Sequence, residues 1–146
     1  MTVEWFNSFF NNIIIIASLG AGFSFSTILS VPTPPTGTTW RLGSTGVQLY
    51  LAASWALFVF AIGIAVAASQ AFKFNEAWLI EKLDCEHPAT LVIISLVSLV
   101  LQLLMITAFL LVERVITAYV PSFGLIAFVI TGIFGLVAVG VWLYKL

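Results

Sequence analysis

The sequence predicts an all-α integral membrane protein, a four-helix transmembrane bundle assembled as a symmetric homo-oligomer. Three observations predict it. Only 8% of the residues are charged and 62% are hydrophobic, with a mean hydropathy of +1.18. No charge falls between Glu4 and Arg41, between Arg41 and Lys73, between Glu86 and Glu113, or between Arg114 and Lys145. Each of these gaps can supply the ~20 apolar residues that a hydrocarbon core requires of one spanning helix. Backbone groups in lipid must satisfy one another, which makes helices the expected form, and the alternating pattern of an outer-membrane barrel is absent. Four spans in 146 residues leave almost nothing for a soluble domain, so residues 1–146 are read as one four-span unit.

The first span is expected over about 9–31. Its opening, Met1-Thr2-Val3-Glu4-Trp5, lacks the basic start of a cleaved signal, and the span is read as retained. It stops at Val31-Pro32-Thr33-Pro34-Pro35-Thr36-Gly37, because proline cannot continue the helical ladder and disfavours helix in its predecessor. The second span is expected over about 46–74. The polar stretch Asn75 to His87 follows, and Pro88, suited to a first helical turn, opens a third span over about 89–112. Glu113-Arg114 is read as its end. Pro121 opens the fourth, over 121–145.

Trp5, Trp40, Trp78, Tyr119 and Trp142 fall near span ends, as in an aromatic belt. Four spans put both termini on the side of the Asn75–His87 loop. That side carries Lys73, Lys82 and Lys145 against Arg41 and Arg114 on the other, which leans the termini towards the cytoplasm.

Several kinds of chemistry are disfavoured. A net charge of −1 with scattered bases gives no nucleic-acid footprint. One cysteine excludes an internal disulfide, and Cys85 with His87 supplies only two metal ligands. With a single histidine no histidine-centred catalytic set can be assembled, so neither an enzyme nor a cofactor is expected. No titratable group is expected inside a span, which weighs against proton-driven transport.

The sharpest pattern is Ser18, Gly22, Ser26 and Ser30, a spacing of four on one face of the first helix, flanked by Gly20, Ser24 and Thr27. Such a face is either a close helix-packing seam or a pore lining whose hydroxyls serve water and ions. Ser95, Ser98 and Gln102 share a face of the third helix, and the Gln102 amide, near mid-membrane, needs partners. It reads as interhelical glue or a constriction. Ala61, Ala65 and Ser69 on the second helix read as packing surface, as do Gly124, Gly132, Gly135 and Gly140 with Thr131 on the fourth.

Ile14-Ile15-Ile16-Ala17-Ser18-Leu19-Gly20-Ala21-Gly22-Phe23-Ser24-Phe25, followed by Pro32, Pro34-Pro35 and Gly37, resembles the opening of the PGG domain, the membrane part of plant ankyrin-repeat proteins. The resemblance covers the first two helices, and Pro34-Pro35-Thr36-Gly37 stands where that family has Pro-Gly-Gly. It implies a four-span module of defence or stress signalling, with some channel-like members, and fixes no functional residue.

One small bundle fills its own axis, so a central path calls for several copies. The functional expectation is a small homo-oligomeric channel embedded in the lipid bilayer. Ser18, Gly22, Ser26, Ser30 and Gln102 are its pore-lining candidates. Glu76, Glu81, Asp84 and Glu86 would form a ring attracting inorganic cations. The alternative is a non-catalytic tetraspan scaffold or accessory subunit of another membrane protein.

Overall fold

The computed structural model describes residues 3–30, 43–74 and 88–145, and nearly all of them are helical. The helices are α1 (Val3–Ser30), α2 (Ser44–Phe74), α3 (Pro88–Tyr119) and α4 (Pro121–Lys145). Each contains a stretch long and apolar enough to cross a bilayer. The chain is a multi-pass membrane protein. The proline-rich residues after α1 and the stretch from Asn75 to His87, with Trp40 and Trp78, lie outside the described residues.

The prolines act as expected at the starts of α3 and α4, where a missing N–H costs nothing. Two boundaries differ from expectation. α1 starts at Val3 instead of Phe9, and its early turns hold an aromatic cluster. Trp5 stacks on Phe9, while Phe6 and Phe10 both pack against Phe72 of α2, with ring centroids 5.9 and 5.4 Å apart. α3 runs past Glu113-Arg114 to Tyr119. Charge alone does not stop a helix, and no proline intervenes before Pro121.

The helices form a row that meanders up and down, each packed on its sequence neighbour. α1 also touches α3 lightly, whereas α4 approaches neither α1 nor α2. The main core comes entirely from α1, α2 and α3, with Phe10, Phe58, Ala17, Ala61, Ala65, Leu101 and Ala108 fully enclosed. Four helices closed around one axis were expected. The fold is instead a three-helix core carrying a fourth helix on its edge. Large apolar side chains such as Leu19, Phe60, Leu96, Phe123 and Leu136 are exposed along all four helices. In water such a surface would aggregate; in a bilayer it meets a solvent as apolar as itself.

The α3–α4 hairpin turns on Val120. Its N–H completes α3 by donating to the Ile116 carbonyl, and its own carbonyl accepts the Gly124 N–H to begin α4. This abrupt reversal presses the two helices together, so a Cβ on Gly124 would overlap the backbone of Thr117.

Candidate functional site: polar groups inside the helical row

α1 carries two small-residue faces. Ala17, Ala21 and Ser24 are buried against α2, and Gly20 admits the ring of Phe58, whose atoms would lie 2.5–2.7 Å from an added Cβ. That is the packing seam within the chain. Ser18, Gly22, Ser26 and Ser30 lie on the opposite, exposed face, and nothing lies within 4 Å of a Cβ on Gly22. The Ser30 hydroxyl donates to the Thr27 carbonyl of its own helix. Ser18 and Ser26 make no hydrogen bond among the described residues. Asn11, seven residues before Ser18, is exposed on the same side. The seven-residue spacing was the signal that would have added it to the stripe.

Polar glue joins the core helices at a different place. The Ser54 hydroxyl of α2 donates to the Ala108 carbonyl of α3 at 3.1 Å. Its proton is thereby committed, which leaves Ser24 of α1 as the donor across the 3.5 Å to Ser54. One buried hydroxyl thus links three helices. Interhelical hydrogen bonds in membranes contribute about 0.6 kcal/mol on average and up to about 1.7. Ser54→Ala should lower stability to unfolding in mixed micelles by an amount in that range, and equality with the wild type would show that the bridge contributes nothing.

Gln102 does not act as glue among the described residues. It is half-buried on α3, where it lines an open groove of about 290 Å³ with Ile13 and Ile16 of α1 and Thr131, Phe134 and Ala138 of α4. Its Oε1 is buried without a hydrogen-bond partner. Ser98 is buried and donates to the Ile94 carbonyl of its own helix. Ala61, Ala65 and Ser69 are all buried, as expected of a packing face. On α4, Gly124 and Gly135 lie close against α3, but Gly132 and Gly140 face open space.

The expectation that no titratable group lies inside a span is corrected by Glu113. It sits within the apolar Val92–Tyr119 stretch and is only 6% exposed. The Thr131 hydroxyl of α4 donates to its Oε1, while its Oε2 is buried with no partner. Neighbouring Arg114 is exposed and lays its guanidinium over the Phe128 ring, 5.7 Å from the centroid. The sequence reading placed Glu113 at a span end because hydropathy counts the charge and cannot see a donor on another helix. Glu76, Glu81, Asp84 and Glu86, with Cys85 and His87, lie outside the described residues.

No protein-family model matches this chain, and no curated protein or solved structure does. The likeness of the first two spans to the PGG domain rests on the quoted residues alone.

Proposed function

We propose that this membrane protein assembles as a symmetric homo-oligomer around a central path lined by α1, forming a small cation channel. The observation that carries the reading is the outward face of α1. Ser18, Gly22 and Ser26 are exposed, away from the other described helices, and the two hydroxyls make no hydrogen bond among the described residues. Hydroxyls facing hydrocarbon lose hydrogen bonds that water or a neighbouring copy supplies. Rotational symmetry converts each such residue into a ring around the axis, where small hydroxyl side chains leave room and hydrate ions. Glu76, Glu81, Asp84 and Glu86 supply the cation preference in this reading, at the mouth on the side of both termini.

Purified protein in planar bilayers tests the proposal. The expected result is a cation-selective current, blocked by Ser18→Leu or Ser26→Leu without loss of the oligomer. Glu76→Gln combined with Glu81→Gln should shift the reversal potential towards non-selectivity. Silence in bilayers together with a monomeric mass in detergent would overturn the channel.

The second reading, a non-catalytic accessory subunit or scaffold, is favoured by α4. Only 11% of its apolar stretch is buried within the chain. A helix attached along one side has its remaining circumference free for a partner protein's helices. Silence with stable co-purification of another membrane protein would support that role.

A further inference from the structure

We infer that Glu113 is an intramembrane proton-binding site, and that the proton it holds keeps α4 docked on α3. The inference is independent of whether the protein conducts.

The geometry has three parts. Glu113 lies six residues before the end of α3, about 9 Å below the hairpin turn at 1.5 Å per residue, within the apolar stretch of the helix. Its side chain is enclosed in the α3–α4 contact, with Oε1 accepting from Thr131 and Oε2 buried and unpartnered. Among the described residues no counter-charge faces it. α4 has no charged or titratable residue from Pro121 to Gly140, and α1 has none from Trp5 to Ser30. On its own helix, Arg114 is directed over Phe128. Tyr119 belongs to a separate cluster with Val115 and with Tyr50, Val47 and Leu51 of α2, while Lys73 lies at the far end of α2.

A bare carboxylate in such a place has one hydroxyl donor and, among the described residues, no cation to answer its charge, a strongly unfavourable arrangement. Binding a proton from the aqueous phase makes the O–H bond of a neutral acid and removes the charge; no other bond changes. Releasing it leaves an anion that is best accommodated by admitting water, and the α3–α4 seam is where water must enter. Among the described residues that seam is also what attaches α4, since α4 approaches neither α1 nor α2. The bound proton and the docked helix therefore favour each other, so proton binding holds α4 in place and proton release loosens it. The 290 Å³ groove lined by Thr131 and Gln102 is the space beside the seam into which water would pass.

The test uses the full chain in phosphatidylcholine vesicles, in a Cys85→Ser background carrying Ile106→Cys and Gly135→Cys. A Cβ on Gly135 lies 3.2–3.4 Å from side-chain atoms of Ile106, which suits a disulfide across the seam. Infrared difference spectra should contain a protonated-carboxyl C=O band that is absent from Glu113→Gln and displaced in frequency by Thr131→Val. The rate of disulfide formation, divided by that of the same pair in Glu113→Gln, should fall several-fold as pH rises through the titration of that band. The ratio removes the ordinary pH dependence of thiol reactivity. Full cross-linking without a Glu113 acid band would overturn the proton site, and a ratio that stays flat while the band titrates would overturn its coupling to α4. Should Glu113→Gln fail to fold, the band shift in Thr131→Val, which retains Glu113, decides the first point. Cross-linking in Thr131→Val against pH then decides the second.

Discussion

Gly124→Val should detach α4 from α3, the largest single effect expected of any substitution in this protein. The added Cβ overlaps the Thr117 backbone, and a helical backbone cannot step aside as a flexible side-chain end can. Overpacking of ordinary cores costs about 1–3 kcal/mol and occasionally more; a clash of backbone against backbone belongs at or beyond the top of that range. α4 packs on no other described helix, so among the described residues the loss is not shared. The measurement is the rate of the Ile106→Cys/Gly135→Cys cross-link, which should drop several-fold. Gly132→Val is the control, because a Cβ at Gly132 meets nothing within 4 Å, and it should leave the rate unchanged. Equal rates for the two variants would refute the close hairpin.

Phe58→Ala should produce the second largest effect, in the other half of the molecule. The Phe58 ring is fully buried where three helices meet, edge-on to Phe109 with centroids 5.3 Å apart and its tip against Gly20. In a water-soluble core such a deletion costs about 3–5 kcal/mol. In lipid the transfer part of that cost largely vanishes, because the surrounding hydrocarbon is as apolar as the core. What remains is the lost dispersion and edge-to-face contact around an unfilled cavity, about 2–3 kcal/mol. Unfolding in mixed micelles measures it. Gly20→Ala provides an internal check: it should destabilise the wild type but cost less beside Phe58→Ala, because its methyl then enters the vacated space. Additive effects would mean that Gly20 and Phe58 are not coupled.

Much of the fold was legible in the spacing of charges and prolines. Four charge-free intervals correspond to four helices, and Pro88 and Pro121 mark two helix starts. Ala61, Ala65 and Ser69 identified a true packing face, although Ala52, Ala56, Gly63 and Ala67 form a second small stripe on the exposed side of that helix. The first helix also has two, and spacing alone cannot say which turns inward: Ala17, Gly20, Ala21 and Ser24 are as small as Ser18, Gly22, Ser26 and Ser30. The choice was made by the ring of Phe58, which needs the glycine at position 20. Similarly, nothing in the period of α4 distinguishes Gly135, held against Ile106, from Gly132, which faces open space. Glu113 escaped notice because its enclosure depends on Thr131, a residue of another helix that no local pattern connects to it. The open arrangement of the helices was hidden for the same reason, since neighbour order is a property of shape and not of periodicity.

The row-like order of the helices has a consequence for biosynthesis. Each described helix after the first packs on the described helix translated before it, so every such segment entering the bilayer meets a partner already in place. Structure can accumulate in the order of synthesis, with short separations along the chain between touching residues and no long-range closure to await. A nascent chain that has released only α1, α2 and α3 already possesses every residue of the aromatic and alanine-rich centre. The last helix is added to a finished scaffold.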